Sequence, residues 1–418
     1  MSNKENMLEF DTDEKENKSK KDSLIHQNKI LKIILIIFLF IIIFLLYKLF
    51  TQKNHAISNK KDSEILVLKE SDIAPIITMT DIISADKEAL SIYSNHQSNI
   101  PLRTNINIPE YNGQCLFMNG YAAPVKALGV KIVSVYPDNI NKNLTSVPST
   151  MVLVNAETGI VNALIDGTYL TRLRTGAITG LATDILSRKD SKILALFGTG
   201  GQAITQLEAI LTVRKIELVK VYDIVYERAY EFAKRMTALY SKKFNNVKIM
   251  AFKSSDETVE NADIITTVTT SKKPVFKSDK VKNNVHINGV GSYTPKMCEI
   301  PEDIVVKANK IYVDTKDGAI SESGDLIGPI KKGLIKVEKI NGELGEVING
   351  KIKGRENDEE MTFFKTTGSA VFDLVAAQKI YVIAKKIMLV KLLIYKLFLF
   401  NKLLSVNNMI KMDKYIIF

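Results

Sequence analysis

The run Lys192-Ile-Leu-Ala-Leu-Phe197, followed by Gly198-Thr-Gly-Gly-Gln-Ala203 and an apolar helical stretch to about Val213, constrains this chain more than any other. It reads as strand, glycine-rich turn, helix. Gly198 permits the tight turn, and Gly200 lets a backbone approach a pyrophosphate. Ala203 stands where a third glycine is usual and is still small enough for close helix–strand packing. The helix start then offers free N–H groups and a positive dipole end to phosphates. A glycine-rich helix C-cap does not fit, because the glycines precede the helix. The turn therefore predicts an α/β fold with a Rossmann dinucleotide-binding domain.

Flanking segments extend that prediction. Leu218–Tyr222 reads as a second strand, with Asp223 at its end. A carboxylate there accepts the ribose hydroxyls and disfavours a 2′-phosphate, so NAD is expected over NADP. Arg228, just beyond, keeps NADP open. Ala262–Ile265, running into Thr266–Thr270, and His286–Gly291 read as later strands that end at the cofactor. The expected cofactor-binding set is Gly198, Thr199, Gly200, Gly201, Gln202, Asp223, Thr267 and Val290.

Charge sharpens the class. The 418 residues carry a formal +11, which invites a nucleic-acid reading. Residues 1–62 hold +3, residues 387–418 hold +4, and the 324 residues between them hold only +4. A basic nucleic-acid footprint on the folded part is unsupported. The two cysteines, Cys115 and Cys298, imply no disulfide framework. The four histidines show no metal-ligand spacing, so no metal is expected.

The ends differ from the middle. Residues 1–29 read as a disordered polar tail. Ile33–Tyr47 is fifteen residues without a charge, and with its flanks Ile30–Phe50 is 21 residues. At about 1.5 Å per residue that spans roughly 30 Å, the thickness of a bilayer core. A long polar stretch before it and no small-residue cleavage site argue against a signal peptide. A single-pass transmembrane helix over 30–50 is therefore expected, with a linker over 51–62. Six lysines over 14–32 against four over 48–68 bias the N-terminus weakly towards the cytosol. NAD(P)H chemistry instead places the catalytic part on the cytosolic side, and is the stronger argument. Residues 387–418 contain no Gly, Pro, Ala, Glu or Arg, and read as a low-complexity tail.

Three cations flank the nucleotide block: Arg103 in Pro101–Thr104, Lys131 in the strand Lys131–Val135, and Arg174 where a helix follows the Asp166-Gly167 turn. An arginine grips a carboxylate bidentately, while a lysine offers a point charge and a movable proton. Spacing alone leaves open whether they form a carboxylate clamp or are ordinary surface charges.

Thr158–Ala177 resembles the ornithine cyclodeaminase/mu-crystallin family. So do Gly198–Ala203, Gly289–Pro295, Glu322–Leu326, Gly342–Val347 and Thr362–Gly368, in the family's order from about Ile65 to Lys386. The resemblance implies a two-domain subunit. Residues 63–185 and 322–386 would bind substrate and dimerise, and residues 186–321 would bind the dinucleotide. It implies chemistry at the carbon–nitrogen bond of a small amino acid or cyclic imine in a homodimer. Arg103 and Arg174 would then hold the substrate carboxylate, with Lys131 beside the reacting atoms. Ornithine cyclodeaminases carry an aspartate after the Gly-x-Gly of Gly289–Gly291, where this chain has Ser292. A serine is no charged base at neutral pH, and the family's ketimine reductases have a small residue there. A ketimine reductase with Lys131 and Ser292 as catalytic residues is therefore expected first. Ornithine cyclodeaminase, or a non-catalytic mu-crystallin-like binding protein, is the alternative. Thr367 departs from the apolar residue the family prefers before Gly368.

Overall fold

A computed structural model describes residues 64–412, and side chains through residue 395. The expected tail 1–29, span 30–50 and linker 51–62 lie outside the described residues. The membrane part of the expected fold class is corrected here. Among the described residues no helix is long and apolar enough to cross a membrane. The longest, Ala370–Met412, is interrupted beyond residue 386 by Lys391, Lys396 and Lys402. The α/β architecture stands without a transmembrane helix, and the single-pass membrane localisation is set aside with it.

The remainder from Ile65 onward is one compact unit built on two sheets. In the first the strand order is β1 (Leu66–Leu68), β7 (Val161–Asp166), β6 (Ser149–Asn155), β5 (Ala127–Val135), β4 (Gly113–Ala122) and β2 (Ser98–Asn99), with β3 (Thr104–Ile108) also on β4. Neighbours run antiparallel except β1 and β7. β5 alternates buried and partly exposed residues from Ala127 to Val133. That period of two puts Lys131 on the buried face with Ala127, Gly129 and Val133.

The second sheet is entirely parallel. Its order is β10 (Lys248–Ala251), β9 (Leu218–Tyr222), β8 (Ile193–Phe197), β11 (Ile264–Thr267), β12 (His286–Gly289), β15 (Thr362–Lys365), β13 (Lys310–Val313) and β14 (Gly342–Glu343). The order reverses direction between β8 and β11, and ligands of such sheets bind outside that crevice. This sheet runs further along the chain than the expected boundary at residue 321. Gly342–Glu343 and Thr362–Lys365 belong to it, because the helices between them serve as crossovers for parallel strands.

Four helices position the site. Helix α1 (Met79–Ser94) starts in a reciprocal cap, in which Thr78 Oγ1 accepts from Asp81 N and Thr78 N donates to the Asp81 carboxylate. Helix α2 (Gly167–Leu186) starts at Asp166, whose Oδ1 accepts from Tyr169 N at 2.9 Å. Helix α3 (Ala203–Val213) follows the glycine turn. A Cβ at Gly176 of α2 would lie 2.4 Å from Thr205 O of α3, so glycine is what lets the two helices touch. This contact couples the helix carrying Arg174 to the helix behind the turn. Helix α4 (Ala370–Met412) buries its first turns, including Val371, Phe372, Leu374 and Val375, against α1 and the first sheet. Beyond Lys386, where the low-complexity tail is expected, the helix continues with Leu389, Leu393 and Ile394 exposed.

Candidate active site

The glycine turn lies at the C-terminal end of β8, beside the crevice. Gly198 has φ +97°, and a Cβ there would sit 2.7 Å from Val268 O, so only glycine fits without strain. Added Cβ atoms at Gly200 and Gly201 would meet nothing within 4 Å. The turn therefore has open space on the side where a pyrophosphate would lie. Asp223 Oδ2 accepts from Thr199 N at 3.1 Å and Thr199 Oγ1 at 2.6 Å, tying the second strand's end to the turn. Thr267 Oγ1 and Gln202 Oε1 are buried and find no partner among the described residues. A positive-φ glycine, an open backbone and unpartnered polar atoms at one switch point fit a dinucleotide.

The three expected cations come together on the other side, around the segment from Thr366 to Asp373. Lys131 Nζ donates to Asp373 Oδ2 at 2.7 Å, and Arg174 Nε donates to Asp373 Oδ1 at 3.1 Å. Lys131 is 1% exposed, Arg174 6% and Asp373 fully buried. Burial pushes the Lys131 ammonium down to about 7, the charge of Arg174 adds to the fall, and Asp373 opposes it. Arg103 completes the group. Its Nε donates to Glu322 Oε1 at 2.8 Å, its Nη2 reaches Glu322 Oε2, and it also donates to Thr367 O. Glu322 thus holds Arg103 in the fork geometry a substrate carboxylate would use.

The turn between β15 and α4 shapes this pocket. Asp314 Oδ2 accepts from Thr366 Oγ1, Thr367 N and Gly368 N at 2.6, 3.0 and 2.8 Å. Gly368, at φ +79°, leaves room for Arg174, since a Cβ there would lie 2.7 Å from its Nη1. A cavity of about 50 Å³ lies beside it, lined in part by Arg103, Met118, Glu322 and Gly368.

Ser292 is placed differently from the cations. It is fully buried, and its Oγ donates to Met297 O at 2.9 Å. Burial raises the phenol of its neighbour Tyr293 and the charge of Arg103 opposes the rise, so the loop lies near Arg103 while the serine hydroxyl stays engaged within the loop. Val290 is buried, and its N donates to Thr267 O at 2.9 Å, fastening the ends of β11 and β12.

Sequence reasoning missed Asp373, Asp86 and Glu299. Asp373 sits in Ala370-Val-Phe-Asp-Leu-Val-Ala-Ala377, where a lone carboxylate in an apolar helix is itself a signal, since buried acids are kept when paired. Asp86 is fully buried on α1 with neither oxygen bonded among the described residues. Burial raises its carboxyl well above the usual range, although Arg174 opposes this.

The profile of the ornithine cyclodeaminase/mu-crystallin family matches residues 63–386. A Δ1-pyrroline-2-carboxylate reductase of Bacillus cereus is 39% identical over 317 residues, covering 76% of this chain and 96% of that protein. The chain belongs to the ornithine cyclodeaminase/mu-crystallin family. Among solved structures, Thermococcus litoralis Δ1-pyrroline-2-carboxylate reductase in complex with NADH and L-proline is 40% identical, with a TM-score of 0.73. That match covers 77% of this chain and 98% of the other. An archaeal alanine dehydrogenase, a dimer with bound NAD, is 33% identical with a TM-score of 0.71, covering 77% and 96%. The family's architecture is thus complete without residues 30–50. This family member is an NAD(P)-dependent oxidoreductase of the imine-reductase type.

Proposed function

We propose that this family member reduces Δ1-pyrroline-2-carboxylate to L-proline, with NADH preferred. The observation that carries the reading is the buried trio Lys131, Asp373 and Arg174, with a lysine held near 7. Such a lysine exchanges a proton readily at neutral pH. Gly198–Gln202, Asp223, Thr267 and Val290 would hold the dinucleotide, which supplies the hydride when bound. Arg103 and Arg174 bind the substrate carboxylate, Arg103 exchanging Glu322 for it. That exchange also opens the 50 Å³ cavity, which is smaller than a cyclic imino acid. Protonated Lys131 provides the proton that the imine nitrogen needs, and Asp373 keeps the ammonium charged long enough to do so. Hydride to carbon and proton to nitrogen convert the C=N bond to an amine.

Position 292 favours reduction over cyclodeamination. Ser292 is uncharged and its hydroxyl is engaged by Met297 O, so the loop has no carboxylate to manage a second amine. Its part is to anchor the loop beside the reacting atoms, while Lys131 handles the proton. Asp223 supports NADH by meeting ribose hydroxyls with a carboxylate.

Residues 63–185 and 322–386 serve substrate binding and dimerisation, apart from the strands that the latter lends to the nucleotide sheet. The outer face of the first sheet leaves Ile106 and Ile132 exposed, which suits an isologous interface. NADH oxidation with Δ1-pyrroline-2-carboxylate tests the reading directly. Δ1-Piperideine-2-carboxylate and L-ornithine are the comparison substrates. Absence of turnover with the five-membered imine while NADH binds would refute it, and proline with ammonia from ornithine would replace it with a cyclodeaminase.

A further inference from the structure

A second buried carboxylate system lies outside the Lys131 cluster. Glu299 is fully buried, and its two oxygens face donors on two different loops. Oε1 accepts from Thr269 N at 2.6 Å and Thr269 Oγ1 at 2.8 Å. Oε2 accepts from Gly291 N at 2.6 Å and Ser292 N at 2.9 Å. Thr269 follows β11 and Gly291–Ser292 follow β12, the two strands next to β8 on the crevice side. The loops press together, since a Cβ at Gly291 would lie 2.0 Å from Thr269 O.

The clasp is itself held from behind. Asp325 Oδ1 accepts from Glu299 N at 2.7 Å and Ile300 N at 3.1 Å. Asp325 Oδ2 accepts from Lys365 Nζ at 3.0 Å, and Lys365 is fully buried at the end of β15. Three backbone N–H groups and one hydroxyl donate to Glu299, so both its oxygens are engaged as acceptors. Burial raises the Glu299 carboxyl above the usual range and Asp325 adds to the rise, while Lys365 and the Thr269 donors oppose it.

We infer that Glu299 is a positioning residue for hydride transfer. Its carboxylate, fixed by the Asp325–Lys365 pair, holds the Thr269 and Gly291–Ser292 loops at the spacing the reacting end of the cofactor and the imine require. The inference rests on the reductase reading above. The adenosine and pyrophosphate contacts of Gly198–Gln202 and Asp223 come from other loops and do not depend on Glu299. Its loss therefore acts on chemistry more than on affinity.

The test uses full-length Glu299→Gln and Thr269→Val beside the unaltered protein. The amide of Glu299→Gln turns two donors towards a backbone N–H, whereas Thr269→Val removes a single hydroxyl donor. For Glu299→Gln, kcat with Δ1-pyrroline-2-carboxylate should fall about tenfold to a hundredfold, the range for a lost charge-assisted bond. The imine KM and the NADH Kd, the latter from nicotinamide fluorescence, should stay within about threefold, as expected when only a transition-state interaction is lost. The primary isotope effect from 4-deuterated NADH should rise, because hydride transfer becomes slower than product release. Thr269→Val should move the same quantities in the same direction by a smaller factor. An unchanged kcat and isotope effect in Glu299→Gln would overturn the inference, as would a kcat loss matched by the unfolded fraction. If Glu299→Gln does not fold, Thr269→Val with unchanged kcat and isotope effect overturns it. If the unaltered protein turns over no imine, the substrate reading fails instead. The nicotinamide emission of bound NADH, expected to shift in Glu299→Gln at unchanged Kd, then decides on Glu299, and an unshifted emission overturns it.

Discussion

Replacing Asp373 with asparagine removes the one anion between two buried cations. Lys131 Nζ and Arg174 Nε lie 2.7 and 3.1 Å from its two oxygens, and the pair Lys131–Asp373 is 1% and 0% exposed. Breaking a buried ion pair from one side costs about 3–5 kcal/mol, because the partner charge stays buried without compensation. For about 320 ordered residues, at about 2.1 cal/mol/K of unfolding entropy each, that lowers the thermal midpoint by about 5–7 °C. The proton chemistry moves as well. Lys131 stands at about 7, below its ordinary value, because burial and Arg174 outweigh the help of Asp373. Without Asp373 it falls further. Imine reduction needs the charged lysine, so the rate declines as pH rises through the lysine's value, and the variant's decline should begin at lower pH. The stability sign is the reverse of that for a raised lysine. Because Lys131 is depressed in the folded state, its contribution is complete above the unfolded value near 10.5 and is lost as pH falls through about 7. In Asp373→Asn that loss extends to lower pH. Melting curves from pH 5 to 9, with kcat profiles over the same range, measure both effects. A midpoint within 2 °C of the unaltered protein, together with an unmoved alkaline limb, would refute the reasoning.

Three further outcomes follow from the geometry. Arg103→Lys replaces a fork engaged with Glu322 by a point charge, so the imine KM should rise about tenfold or more while NADH affinity holds. Asp223→Ser removes the carboxylate at the end of β9, and the ratio of kcat/KM for NADPH over NADH should rise about tenfold or more in initial-rate assays. Gly198→Ala forces an alanine to φ +97° against Val268 O, at a cost of about 1–3 kcal/mol. Its NADH Kd, read by fluorescence titration, should rise by about tenfold.

What the sequence discloses is what its local pattern controls. Gly198–Ala203 was readable as a nucleotide turn because strand, glycines and helix are contiguous, and the structure keeps that order at β8 and α3. Arg103, Lys131 and Arg174 stood out by residue type, and family resemblance grouped them. Their meeting point did not stand out, because Asp373 is 242 residues from Lys131 in sequence. Glu299 was hidden for a different reason. Its partners are mostly backbone N–H groups, which leave no mark in side-chain identity. Ser292 shows the converse case. Its type was informative, but only the fold reveals that its hydroxyl is committed to Met297 O. The apolar run at 33–47 carries only length and hydropathy as signals, and the matched family region begins only at residue 63.

The short passage from Lys365 to Asp373 has a consequence for recombination. It begins with the buried cation that secures Asp325 on the nucleotide sheet and ends with the anion paired with the buried Lys131. Between them, Asp314 grips the Thr366–Gly368 turn and Arg174 passes over Gly368. A chimera that exchanges cofactor lobes between relatives at the sheet boundary would cut this passage and mismatch both buried charges at once. Viable crossovers should therefore fall outside 362–373, so that this stretch is inherited together with Asp314, Asp325, Lys131 and Arg174 as one block.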